Sequence, residues 1–147
     1  PGDFGHRDIG QVPFVYAVAR NHPLALETGP LSEATLSAWP AVVAADSSRQ
    51  LPAGSAGIFA RQRTLTVSSM AHKIEAQKAG MGVGWLPRPQ VEPALASGEL
   101  VALDVATRRP PVILCMARRR GDQGKAINWF WEHLSRPDYF DPWLDPA

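Results

Sequence analysis

The stretch from Val67 to Pro89 reads VSSMAHKIEAQKAGMGVGWLPRP, and its punctuation constrains how the rest of the chain can run. A strand ends at Val67. Ser68 or Ser69 is a natural N-cap for a helix through about Ala79, and Gly80 falls at its C′ position. Met81 to Leu86 is then a short, glycine-interrupted strand that Pro87 ends. In an open α/β sheet the crevice outside the carboxyl ends of the strands is where ligands bind. If this chain binds a ligand, the ligand belongs where that helix begins.

The flanking sequence supports an alternation of strands and helices. Residues 1–13 are polar and contain glycine, and they read as a loop or linker. Phe14–Ala19 is a continuous apolar run of strand length, the pattern of a strand buried on both faces. Leu31–Ala38 is a short helix with Ser32 as N-cap, and Ala41–Ala45 is a second buried strand. Residues 50–60 look loop-like. Arg61–Val67 alternates, with Arg61, Arg63 and Gln62 towards water and Leu65 and Val67 inward. Pro89–Ser97 is another short helix, with Pro93 tolerable near its first turn and Gly98 as its stop. Leu100–Leu103 and Pro111–Ala117 read as strands, and Arg118-Arg119-Arg120 as a solvated turn. Gln123–Leu134 is the clearest amphipathic helix, with Ile127, Phe130, Trp131 and Leu134 at i, i+3, i+4 and i+7. The proline-containing tail reads as irregular. The class is α/β, with a mostly parallel sheet expected.

Composition narrows the function. The 147 residues suit one domain or a split domain with a sizeable core. Lysine plus arginine is 15 against 14 for aspartate plus glutamate, so the chain lacks the basic excess of a nucleic-acid-binding surface. A single cysteine, Cys115, precludes an intrachain disulfide, suits a reducing compartment and, within Val112–Met116, reads as a buried strand residue. No apolar run approaches the roughly 18 residues that span a membrane. The chain opens Pro-Gly-Asp without a methionine and reads as a fragment or a processed product.

The candidate chemical motifs thin out on inspection. Gly80-Met81-Gly82-Val83-Gly84 follows a helix and enters a strand, whereas a dinucleotide loop runs from strand to helix and needs GxGxxG. The glycines are therefore chain-path residues. His6, His22, His72 and His133 show no metal-ligand spacing. His72 and Glu75 share a helix face and read as solvated, so neither a metal nor a cofactor is expected. Ser68 and Ser69 lack a GxSxG elbow, and no pair of carboxylates is set apart for acid–base work. What is left is Val67-Ser68-Ser69. Unpaired N–H groups of a first helical turn carry partial positive charge, and two serines add hydroxyl donors. Together they suit a carboxylate or another small anion. Trp85-Leu86-Pro87, at the end of the next strand, reads as an apolar wall of the same crevice.

These same residues carry a family resemblance. PFVYAVARNHPLA resembles the segment of LysR-type transcriptional regulators that crosses into the second effector-binding subdomain. AGMGVGWLPRPQVEPALASGELV resembles that family's helix end, short strand, proline and following helix, and GKAINWFWEHL resembles its C-terminal helix. In order and spacing the match covers most of residues 12–136.

The resemblance implies a type II periplasmic-binding-protein-like effector domain, its second lobe complete and its first partial. Residues 1–17 would be a hinge and first-lobe remnant, 18–107 the second lobe, and 108–147 the return to the first lobe with the C-terminal helix and tail. It implies a cytoplasmic bacterial regulator, not an enzyme, that binds a small metabolite in an interlobe cleft. DNA would be bound only through an N-terminal helix-turn-helix missing from this chain, and the full protein would be a homodimer or homotetramer. The implied effector-binding residues are Ser68, Ser69, Met70, Trp85, Leu86 and Pro87, with Ser47 and Ser48 after the second strand. Two alternatives have other uses for the fold: a solute-binding protein for transport, and a small α/β hydrolase-like enzyme using Ser68 or His72.

Overall fold

The computed structural model describes residues 3–45, 58–121, 124–136 and 139–144. The chain divides into two compact units. One is Phe14–Arg109; the other joins Pro1–Pro13 to Pro110–Ala147.

The Phe14–Arg109 unit is built on β2 (Phe14–Ala19), which follows β1 (Phe4–Val12) of the other unit. β2 lies between β5 (Gly84–Pro87) and β6 (Leu100–Ala102) and pairs antiparallel with both. β3 (Ala41–Ala44) and β4 (Thr64–Val67) form a parallel pair. A parallel bridge between Ala41 and Val83 joins that pair to the entry of β5, through Val83 N–H to Pro40 O and Val42 N–H to Val83 O, both 2.9 Å. The sheet is therefore mixed, and the expectation of a mostly parallel sheet is corrected. Alternation of elements does not set strand direction here, because β2, the first strand of the unit, runs against both of its neighbours.

Period-two alternation along β2 divides the core between the two sheet faces. Tyr16 and Val18 pack with Leu24, Leu36, Val83 and Trp85. Val15 and Ala17 pack with Leu86, Val91, Ala94 and Leu100, against which Met70 and Ile74 rest. The long apolar run is thus buried on both faces, as its composition predicts.

Among the described residues of the unit there are three α-helices, besides a 3-10 turn at Pro23–Leu26. α1 (Glu33–Ser37) has Ser32 as N-cap, its hydroxyl accepting from Thr35 N–H. α2 (Met70–Lys78) runs from the Ser69 cap to Gly80, whose φ of +74° is the left-handed conformation a helix stop uses. α3 (Arg88–Ala96) carries Pro93 in its interior. The chain was expected to tolerate that proline only in a first turn. The ladder closes again below it, Ser97 N–H bonding Pro93 O at 3.0 Å.

Three expectations for Arg61–Val67 are corrected. The strand begins only at Thr64, and Gln62 is buried, accepting from Phe59 N–H and donating to Leu36 O and Trp39 O. The amide closes the loop ahead of the strand, a tertiary role that alternation cannot reveal. Leu65, expected inward, is exposed among the described residues.

In the other unit, β1 pairs antiparallel with β7 (Val112–Arg119), with a register shift between Asp8 and Gly10. Most of the predicted loop, Phe4–Val12, is therefore a strand. Its partner is about a hundred residues away, and the ladder uses backbone groups that polar and glycine residues also supply. α4 (Lys125–Leu134) and the short α5 (Asp141–Leu144) follow. Arg118 belongs to β7 and is no solvated turn residue. Its guanidinium donates to Asn128 Oδ1 at 2.6 Å and lies 4.7 Å from the Trp131 ring centre. Cys115 was expected to be buried and is exposed, because among the described residues β7 pairs only with β1.

Candidate functional site

The parallel register pairs Ala44 with Val67, so β3 and β4 end side by side. β5 runs parallel to β3, so Pro87, its carboxyl end, lies at the same edge of the sheet. Phe14 stands opposite Pro87, and the Arg109 guanidinium lies over the Phe14 ring, 4.0 Å from its centre. One sheet edge of the unit thus gathers the start of α2, the end of β5 and a cation.

At the start of α2, Ser69 is extended (φ −154°, ψ 166°), and its hydroxyl oxygen accepts from His72 N–H at 3.2 Å. Ser68 Oγ and His72 Nδ1 share a hydrogen bond of 2.8 Å. Ser68 is exposed, while Ser69 and Met70 are half-buried. The amides of Met70 and Ala71 belong to the first turn and have no intrahelical acceptor, leaving donors and partial positive charge for an anion.

The structure separates the other expected residues. Trp85 and Leu86 are core residues on opposite faces of the sheet. Trp85 meets Tyr16 edge-on at 5.3 Å, and Leu86 is fully buried. Pro87 is buried at the strand end. Ser47 and Ser48, with the neighbouring Asp46, lie outside the described residues.

Two residues escaped the sequence reading. Lys73 and Gln77 lie one helical turn apart on the inner face of α2, 9% and 0% exposed. Both amide atoms of Gln77 lack a hydrogen-bond partner among the described residues. Burial, and then the charge of Arg109, holds the Lys73 ammonium down to a pKa of about 8. Gly84 makes the room: a Cβ there would stand 3.1 Å from Gln77 Nε2 and 3.6 Å from Lys73 Nζ. The sequence carries little signal for them: Met70, Lys73, Ile74 and Gln77 share one helix face, but two of the four are polar, so the pattern does not mark that face as inward.

Other chemistry is sparse. Glu75 pairs with Lys78 at 3.5 Å, and Lys78 with Glu99 at 2.8 Å. Among the described residues no group of three His, Cys, Asp or Glu side chains is placed to hold a metal, and no helix is long and apolar enough to cross a membrane.

Comparison with known proteins agrees with this architecture. The model of the LysR substrate binding domain matches residues 1–137. The HTH-type transcriptional regulator PunR of Escherichia coli (strain K12) is 32% identical over 133 residues, 90% of this chain and 43% of PunR. The HTH-type transcriptional activator AllS of Salmonella typhimurium is 36% identical over 119 residues, 81% of this chain and 39% of AllS. Among solved structures, the probable transcriptional regulator PA0477 from Pseudomonas aeruginosa superposes with a TM-score of 0.72 at 15% identity, covering 91% of this chain and 45% of that one. The chain therefore spans less than half the length of the curated relatives it matches.

Proposed function

The chain belongs to the LysR substrate-binding domain family, and from that premise we propose that it senses a small, anionic metabolite on behalf of a cytoplasmic transcriptional regulator. The observation that carries this reading is the capped, open first turn of α2 at the carboxyl edge of the sheet, with Ser68 exposed beside it. Ser68, Ser69 and Met70 supply hydroxyl and amide donors. Pro87 borders the same edge, and Trp85 and Leu86 act from beneath by stiffening β5; Ser47 and Ser48 complete the proposed set. Residues 18–107 serve as the sensing lobe, and 1–17 with 108–147 as its hinge and remnant of the first.

The mechanism is binding without chemistry on the ligand. An effector with unequal affinity for two arrangements of subunits biases the equilibrium between them, and DNA affinity follows. In this reading the DNA is held by a helix-turn-helix elsewhere in the full-length protein, which acts as a homodimer or homotetramer. The named relatives, PunR and AllS, are transcriptional regulators, which favours regulation over transport or catalysis.

The test is a thermal-shift screen of the full-length protein against small carboxylates, phosphate esters and their uncharged amides or alcohols. Each stabilising compound is then titrated by calorimetry into Ser68→Ala/Ser69→Gly. The site reading expects loss of affinity with little loss of folding stability. Unchanged affinity in the double variant removes the site from the start of α2.

A further inference from the structure

We propose that Lys73, seconded by Gln77, reads the charge of the ligand at this sheet edge, and that the ligand presents a compact oxyanion to it. The inference rests on the effector reading above and names the residue that decides which class of effector enters. It starts from an imbalance. The inner face of α2 packs against β2, β3 and β4, and its neighbours Met70 and Ile74 join the apolar cluster around Leu86. A leucine or methionine would satisfy position 73 as packing. The chain instead places a lysine there, 9% exposed as a residue, with no ion-pair partner among the described residues. One turn further in stands an amide that is fully buried and unpaired at both ends.

Unpaired polar groups in such a setting oppose folding. A ligand that supplies the missing partner reverses the sign. Lys73 is one turn in from the Ser69 cap, on the helix whose first-turn amides are open, so a single oxyanion can meet the ammonium and the positive end of the helix together. Gly84 lets the β5 backbone approach both groups closely, a Cβ there standing 3.1 Å from Gln77 Nε2 and 3.6 Å from Lys73 Nζ. The charged groups around Lys73 permit this. β2, β3, β4 and β5 bring it no charged side chain, and Tyr16 faces the opposite cluster. On α2, Glu75 is committed to Lys78, and His72 to Ser68; on α3, Arg88 and Glu92 pair at 3.0 Å. Arg109 is a second cation, whose field adds to the attraction for an anion.

The experiment uses the full-length protein, with acetate-to-dicarboxylate chain series, inorganic phosphate, phosphate monoesters and the amides of the same acids as probes. At least one oxyanion is expected to raise the Tm while its amide does not, the carboxylate and phosphate arms identifying which oxyanion it is. Lys73→Met is expected to weaken that oxyanion about tenfold or more while the unliganded Tm stays level or rises. Lys73→Arg keeps part of the affinity. If Lys73→Met binds the oxyanion as tightly as wild type, the inference falls and the effector reading stands; if an amide binds as tightly as its acid, the inference falls and takes the anionic character of the effector with it, leaving only the small-molecule site at the start of α2. If no probe, charged or neutral, shifts wild type, both fall. Should Lys73→Met fail to fold, calorimetry of wild type at pH 8 in two buffers of different ionisation enthalpy decides. Proton uptake on binding supports the inference, and its absence overturns it.

Discussion

Ser68 Oγ and His72 Nδ1 lie 2.8 Å apart across the first turn of α2, while the His72 amide donates to Ser69 Oγ. One histidine thus ties down both serines, the ring holding one and the backbone the other. The two hydroxyls differ in what they do for the fold. Ser68 is exposed and its contact joins two side chains, so Ser68→Ala should cost at most about 0.5 kcal/mol. Ser69 is the cap, and Ser69→Ala should cost about 1 kcal/mol, whereas Ser69→Gly should cost only a few tenths. Urea titrations of the three variants check the order. A Ser68→Ala cost equal to that of Ser69→Ala would transfer the cap to Ser68.

Gly82 allows the bridge that unites the sheet. A Cβ at this position would overlap Pro40 O and stand 3.0 Å from Val42 Cγ2, and Pro40 O is the acceptor for Val83 N–H. The obstacle is backbone, which cannot rotate aside. Gly82→Ala should therefore destabilise the protein by about 2 kcal/mol or more, in the range of overpacked core sites. Gly98→Ala is the comparison: its Cβ would meet nothing, and only the φ of +74° resists it. Chemical denaturation of both variants should rank Gly82→Ala as the worse.

These contrasts show which parts of the fold a reader of the sequence can reach. α1 and α2 were legible because their caps, Ser32 and Ser69, and the stop at Gly80 are local chemistry. β2 was legible because burial on both faces leaves a continuous apolar run. β1 was not, because its pairing with β7 is long-range and its own composition is polar. Strand direction was misread for the same reason: β5 and β6 meet β2 antiparallel through connections that no short window contains. At the site, the serines were legible as a cap. Trp85 and Leu86 were seen as neighbours along the strand, and the pleat that sends them to opposite faces was not followed through. Lys73 and Gln77 were passed over because charged and amide residues on a helix default to solvent, and only the tertiary packing shows that these two do not.

Tyr16 offers a test at high pH. The residue is 1% exposed, and its hydroxyl has no hydrogen-bond partner among the described residues. Burial pushes its pKa from 10.0 up to about 12, against a smaller downward pull from the neighbouring Gln62 side chain, which is too distant or misaligned for a formed hydrogen bond. A raised folded-state pKa means that between those values the native state holds the proton the unfolded chain has lost. The stabilisation is complete below pH 10 and disappears as the pH climbs to about 12, amounting to at most about 2–3 kcal/mol. Tyr16→Phe removes an unpaired buried hydroxyl, so at pH 7 it should be neutral or slightly stabilising. It should also flatten the stability profile between pH 10 and 12. Equal alkaline loss in wild type and Tyr16→Phe would assign that loss to other groups.

Lys73 bends the same profile in the opposite sense and at lower pH. Its folded-state pKa is lowered from 10.5 to about 8, burial being the main cause and Arg109 the second. Between those values the unfolded chain carries the proton and the native state has released it, so stability rises with pH across that window. Below about pH 8 both states are protonated, and the buried charge exacts its full penalty of at most about 3 kcal/mol. Lys73→Met removes the ionisable group. Relative to wild type the unliganded variant should gain most at pH 7, and the gain should shrink steadily from pH 8 towards pH 10.5. Guanidinium unfolding midpoints at half-unit steps of pH, on both proteins, measure that difference directly. A difference independent of pH would mean that the Lys73 ammonium reaches solvent, and it would remove the electrostatic basis for reading an oxyanion at this position.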